Sequence, residues 1–499
     1  MSHLEDQASS PLLDESGRFP KRNRNRLIIT LVVILLAFET GGYMIPGPMT
    51  RIIESIACRK YWAVHDPSQI PANGQVAEKL CKIPAVQTEV TTVKGYSDFW
   101  EELCSTLFAI PYSLLADRYG RKTLICLTIP GFILNGIITN SVLWFSNILP
   151  LRGIWFAALA WAVGGGPTMA MAIVWTMIAD VTTNSQRAII FSRVGVLSMA
   201  VSFLSRAISS GLMTVQPWIP MLIGCGLVLV ALSLILSLPE TLGDSPDEIS
   251  PVDSDVEMPH SEASSSGEPS FDDMHFIPKS SWWIALHDRC RQMMSPFSFI
   301  FHRRVLLLLS TFLIYHFNGS STFFLVQYIS TRFAWPLARA NFLISFQPAI
   351  TIPVFLFLIP YLSKWHLHHL SPATRDLYLA RMSILVLTLG TLGISLAPSM
   401  IILIPSVFLQ AAGSGLLFIS RSLITGLVSQ DETARLYTVI QVLQSIGSMT
   451  GNLSLTNLLP LGLAMGGGWI GLAWMVNTLL FSILGISLGM FRLPPVSER

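Results

Sequence analysis

Two ionisable residues sit in apolar stretches where a charge could do chemistry. Glu39, in "LLAFETGGYMIPGP", lies about twelve residues into a run that begins near Leu27, roughly 18 Å along it at about 1.5 Å per residue. Arg206, in "SFLSRAISS", lies roughly 26 Å into a later run by the same rise. A charge held in hydrocarbon costs at least about 2.5–3.5 kcal/mol, so a group kept there is a functional candidate by default. Glu39 can bind and release a proton, and Arg206 can tune it or hold an anionic substrate. The alternative is a static ion pair that locks two helices together. Four more polar residues interrupt apolar runs: His316 and Asn318 in "LIYHFNGSS", Gln347, and Arg421 in "LFISRSL". Each is either a substrate contact or an interhelical bond, and Arg421 is close enough to a run's end to reach an interface instead. Four further charged residues, Asp117, Arg118, Arg121 and Lys122, fill one turn around Gly120 in "LLADRYGRKTLI".

The solvent around these residues decides what they can do. Of 499 residues, 51% are hydrophobic and 12% charged, and the mean hydropathy is +0.56. A soluble protein carries about 25% charged residues. Half of that cannot cover a water-facing surface, so most of this surface must face lipid. A net charge of +2 gives no reason to expect nucleic acid. Six cysteines are too few for a disulfide scaffold of this length. No cleavable signal peptide is visible ahead of the first run, which is long enough to span.

A spanning helix needs about 20 apolar residues. That window places spans near 27–47, 98–116, 123–145, 152–179, 189–213 and 218–239, then 304–330, 341–363, 379–397, 401–427, 434–460 and 468–491. The expected fold is an all-α membrane protein with twelve transmembrane helices in two six-helix bundles, 27–239 and 304–491. A long outer loop, 48–97, follows the first span, and the tails are 1–26 and 492–499. Between the bundles, 240–303 reads as an acidic linker. Its first part, Glu240 to Asp273, holds eleven carboxylates and no Lys or Arg, a composition that favours disorder. Its serines leave phosphorylation open, and "SSWWIALHDRC" is amphipathic enough for an interfacial helix. Lys and Arg concentrate in "KRNRNR", "DRYGRK", "NSQR", the 364–381 loop and "QDETAR", which fall on one side if twelve spans alternate. That side is cytoplasmic and holds both termini, although Arg332 and Arg339 run against the trend.

The charged turn therefore joins spans two and three inside the cell. Asp117 caps a helix end, Gly120 permits the reversal, and Arg121 and Lys122 hold the loop inside. The spacing D-R-x-G-R-K resembles the loop 2–3 signature of the major facilitator superfamily, with Ser113 where that signature usually starts with Gly. The resemblance implies a cytoplasmic gate in which Asp117 meets the start of helix eleven and Arg121 pairs with Asp180. It also implies that span seven, with His316 and Asn318, lines a central cavity. The loop at 361–381 keeps positive charge but not the motif, so the two halves are unequal gates. Cys58, Cys81 and V-Q-x-E at Val86–Glu89 are similar to the proton-coupled folate transporter branch and its fungal relatives. In that branch's oxidising setting Cys58 and Cys81 form a disulfide or remain two free thiols.

An enzyme is the rival class, but "HLHH" at His366 to His369 is the one histidine cluster, and no P-loop, HExxH or GxSxG occurs in a suitable context. No cofactor and no metal are expected. The resulting expectation is a monomeric secondary transporter in the plasma membrane, using protons as coupling ion and moving a small organic molecule by alternating access. Export of a fungal metabolite or toxin leads, and proton-coupled uptake or a non-transporting sensor are the alternatives.

Overall fold

In hydrocarbon a chain can satisfy its backbone only within helices or closed barrels, and this chain's apolar runs become helices. The computed structural model describes residues 21–238 and 302–492 except positions 73, 183, 320, 368 and 429. The acidic linker and both tails lie outside the described residues. No strand occurs among those described.

In the first half, α1 (Lys21–Met44) and α2 (Pro46–His65) form one rod with a break at Ile45. Then follow α3 (Pro84–Tyr119), α4 (Arg121–Trp144), a 3₁₀ stretch (Leu151–Ala162) leading into α5 (Gly166–Val181), α6 (Asn184–Met213) and α7 (Trp218–Ile235). The second half holds α8 (Arg303–Gly319) and α9 (Ser321–Arg332), α10 (Leu337–Pro353) with a π-helical continuation, and α11 (Pro372–Leu396). It ends with α12 (Met400–Ala412) followed by α13 (Leu416–Thr425), α14 (Gln430–Met465) and α15 (Leu472–Met490). Counted as rods, these are the twelve expected spans, six in each half.

By length and composition, nine helical stretches among the described residues could cross a membrane. The other three rods have physical reasons to differ. α3 carries Lys94, Asp98, Glu101 and Glu102, α14 is rich in Gln, Asn, Ser and Thr, and α8 and α9 are helices of 17 and 12 residues.

Two glycine sites set the turns. Gly120 has φ +90°, open to a residue without Cβ, and lets α4 start directly after α3. Gly164, Gly165 and Gly166 all have positive φ and break the fourth rod between its 3₁₀ and α-helical parts. A Cβ on Gly131 of α4 would lie 2.2 Å from the Val163 carbonyl oxygen, so these rods meet backbone to backbone.

The stretch 48–97, expected as an outer loop, is mostly helical. Pro46 and Pro48 sit in the first turn of α2, where no backbone N–H is needed. Ile52, Ile53, Ile56 and Ala57 then repeat at helical spacing and are buried. The last part, 84–97, forms the first turns of α3, which leaves 66–83 as the connection. Within each bundle the buried residues form two cores. One pair centres on Leu31, Ile34 and Met177 and on Phe312, Leu387 and Phe481, toward the Gly120 end. The other pair centres on Ile53, Cys58 and Ile154 and on Tyr328, Phe324 and Trp474, toward the opposite end, where Cys58 and Cys81 form a disulfide. Ile137, Leu229, Phe357 and Ile486 point outward, as a lipid-facing surface requires.

Candidate substrate cavity and charged sites

The bundles meet along α3 with α14 and α6 with α10. Between them lies a cavity of about 300 Å³, lined by α6 on one side and by α8 to α13 on the other. Most of the wall is apolar, including Leu325, Pro348, Phe355 and Phe418. Polar groups come from Ser202, Asn318, Gln347, Thr351 and Gln410. Asn318 accepts a 2.9 Å bond from Asn477 Nδ2, which fixes its amide, while Gln410 Nε2 is buried with no partner among the described residues. A mostly apolar wall with a few fixed polar groups is the usual make-up of a small-molecule site.

Arg206 is the only charged residue among the described lining residues. Its guanidinium stands over the Tyr43 ring, 5.0 Å from the centroid. No described carboxylate forms an ion pair with it, Glu39 included. The static Glu39–Arg206 pair weighed from the sequence is therefore not formed. Tyr43, one turn beyond Glu39 on α1, faces both groups, and Glu39 itself faces Ser198 of α6. One oxygen of Glu39, Oε2, is buried without a hydrogen-bond partner.

Of the remaining cavity candidates, Asn318 and Gln347 line the cavity. His316 does not. Its Nδ1 lies 3.2 Å from the Phe312 carbonyl oxygen on its own helix, and its Cβ approaches Gly447 of α14. Arg421 is exposed and stands over Tyr437, 5.8 Å from the ring centroid. In the charged turn, Arg121 and Lys122 are half-buried at the start of α4. The side chains of Asp117, Arg118 and Asp180 lie outside the described residues.

Sequence reasoning missed a polar stripe on α3. Gln87, Thr91, Lys94, Asp98 and Glu101 recur at intervals of four and three, so they share one face. Lys94 pairs with Asp98 and stands 5.7 Å over the Phe323 ring of the other bundle. Glu101 is half-buried beside Asn135 and Ser97. Gln327 of α9 crosses the bundle boundary, donating to the Gln87 side chain at 2.9 Å and accepting from Thr91 at 3.1 Å. Asn341 of α10 donates to Ser210 of α6 at 2.8 Å. These bonds draw the bundles together at the disulfide end.

Two six-helix bundles about a central cavity can be compared with known proteins. The family model described as Major Facilitator Superfamily matches residues 101–452. The chain belongs to the major facilitator superfamily. It is 42% identical to the MFS-type transporter aprT of Aspergillus flavus, over 99% of this chain and 94% of that protein. It is 26% identical to the MFS efflux pump atnC of Emericella nidulans, over 95% of this chain and 89% of that one. A bacterial homologue of the iron transporter ferroportin, solved in an inward-facing state, shares the fold with a TM-score of 0.60 at 9% identity, over 94% and 99% of the two chains. This superfamily member is a multi-pass membrane transporter of small molecules and not an enzyme. The narrower likeness to the folate transporter branch finds no support among these relatives.

Proposed function

We propose that this transporter exports a small, largely apolar organic molecule bearing an acidic group, a fungal secondary metabolite by class. The observation that carries the reading is Arg206, a guanidinium with no counter-ion among the described residues, in a cavity between the bundles whose other described lining residues are neutral. A desolvated cation without a counter-ion is costly unless a ligand supplies the anion. The efflux pump among its relatives favours export over uptake. Transport proceeds by alternating access about the cavity, with Glu39 taking up the coupling proton and Tyr43 linking it electrostatically to Arg206. Asp117, Arg121 and Asp180 hold the Gly120 end closed in turn, and Lys/Arg bias makes that end cytoplasmic, with both termini inside and the disulfide end outside. A monomer in the plasma membrane completes the reading.

The test is a deletion strain of the natural host. Compounds retained in cells and depleted from the medium, relative to the parent strain, define the cargo. Retention of acidic small molecules that reverses on complementation supports the reading. Unchanged export of all such compounds overturns it.

A further inference from the structure

At the disulfide end a charged cluster crosses from one bundle to the other. Glu54 of α2, only 1% exposed, accepts from Lys82 Nζ at 2.7 Å, from Gln87 Nε2 at 2.7 Å and from Arg51 at 2.9 Å. Gln87 Nε2 also donates to the Cys81 carbonyl oxygen at 2.9 Å. Cys81 is tied to Cys58 of α2 by the disulfide, so the short segment 66–83 is fixed on both sides. From that segment Glu78 reaches across the boundary. Its Oε1 accepts from the backbone N–H of Leu337 at 2.7 Å, at the first residue of α10. Lys82 Nζ stands 2.9 Å from the same oxygen, and Arg51 Nε 3.5 Å from Oε2.

Leu337 opens α10 after Pro336, and no side chain of its own helix caps that end. The first N–H groups of a helix lack partners within it and carry the positive end of its dipole. A carboxylate from the other bundle fills that role here. Separating the bundles at this end must leave both the Glu78 carboxylate and the α10 terminus to water.

We infer that Glu78 is a latch: by capping α10 across the boundary it holds the disulfide end of the transport path shut, and it releases each time that end opens. The inference rests on the reading above that the bundles alternate about the cavity. Glu78 acts through the bundle contact and not on cargo, so it is a positioning residue for transport. The disulfide keeps the latch segment on α2 while the bundles move, which makes the break fall at Leu337.

The latch is also acid-sensitive. Burial pushes the Glu78 carboxyl up, but Lys82, Arg51 and the Leu337 N–H together outweigh it and hold the group below its ordinary value. The groups that face it are Arg51 and Glu54 from α2, Lys82 from its own segment and the Leu337 amide from α10. A depressed carboxyl stabilises the latched state above the ordinary value of about 4.3, and that contribution is lost as pH falls through the lower value. Acid outside the cell therefore loosens the disulfide end.

The test is a distance between spin labels on Val64→Cys and Ile401→Cys, two highly exposed positions, one on each bundle at this end. Cys104, Cys126, Cys225 and Cys290 are replaced by Ser, and Cys58 and Cys81 are kept. Glu78→Gln should raise the long-distance population on the order of tenfold, since a charge-assisted bond is lost. Glu78→Asp should retain part of the short-distance population. Acidifying the labelled protein with Glu78 intact should produce the same shift, and Glu78→Gln should abolish that response. If Glu78→Gln does not fold, the acid titration alone decides. Unchanged distances in both experiments, in protein that still restores export to the deletion strain, overturn the latch. A shift produced by Glu78→Gln in a labelled protein that restores no export even with Glu78 intact supports the latch and overturns the transport reading instead.

Discussion

Replacing Arg206 separates a cargo contact from a structural one, because the two roles predict different changes in stability and in which cargo is lost. The guanidinium lines a cavity of about 300 Å³ and no described carboxylate neutralises it. Its stacking on Tyr43 contributes about 0.5–2 kcal/mol, whereas keeping an unpaired ion out of bulk water costs several. Arg206→Gln should therefore leave the thermal midpoint of the purified protein unchanged or raise it. The same substitution removes a charged donor from the cargo. A hydrogen bond to a charged group is worth about 1.5–3 kcal/mol, or about tenfold to a hundredfold in affinity. In the complemented deletion strain, the cell-to-medium ratio of acidic cargo should rise toward the deletion value, while cargo without an acidic group moves little. Arg206→Lys keeps the charge and loses the planar fork, so it should fall between the two. Normal export of acidic cargo by Arg206→Gln would refute the assignment. Loss of export matched by loss of folded protein would refute it equally, since it makes Arg206 a structural residue.

Three further expectations are independent of that one. Glu39→Gln mimics the protonated acid, so vesicles carrying it should keep cargo exchange but lose flux driven by a pH gradient; survival of both removes Glu39 as the coupling residue. Asp117→Ala should reach the cell surface at normal levels and lose transport, and retained transport would remove Asp117 from the gate. Gly131→Ala places a Cβ against the Val163 carbonyl and should cost about 1–3 kcal/mol in thermal unfolding, while Gly136→Ala, which meets open space, should cost nothing measurable.

The twelve rods are legible in the sequence because hydrocarbon permits few alternatives to a helix, and each apolar run is bounded by Gly, Pro or charge. What hides is the disulfide end. Its helices are amphipathic and partly charged, so a hydropathy window begins the second span at residue 98 and leaves Lys94, Thr91 and Gln87 in a loop. The 4-3 spacing of that stripe, at 87, 91, 94, 98 and 101, was the signal for one helix face. The Glu54–Lys82–Glu78 cluster has no such signal, because its members are brought together by a disulfide and a bundle contact rather than by spacing.

The cavity candidates show the difference between depth and direction. Distance along a span gives the height of a side chain, and on height alone Glu39 and Arg206 looked like partners. Direction around the helix decides contact, and Tyr43, one turn from Glu39 on the same face, is the residue that meets Arg206. The same reasoning sorts Tyr315, His316 and Asn318. At about 100° per residue, His316 and Asn318 stand about 200° apart and cannot line one cavity, whereas Tyr315 and Asn318, three residues apart, can. The structure places Tyr315 and Asn318 on the cavity and His316 against Gly447. The wall is therefore divided by bundle. The second contributes neutral amides, hydroxyls and aromatic rings, and the first contributes the charge. On the proposed reading, a cargo held between them offers an acidic group to α6 and a largely apolar body to α8 through α13. Selectivity for the body and for the acid should then change independently, by substitutions in opposite halves of the chain.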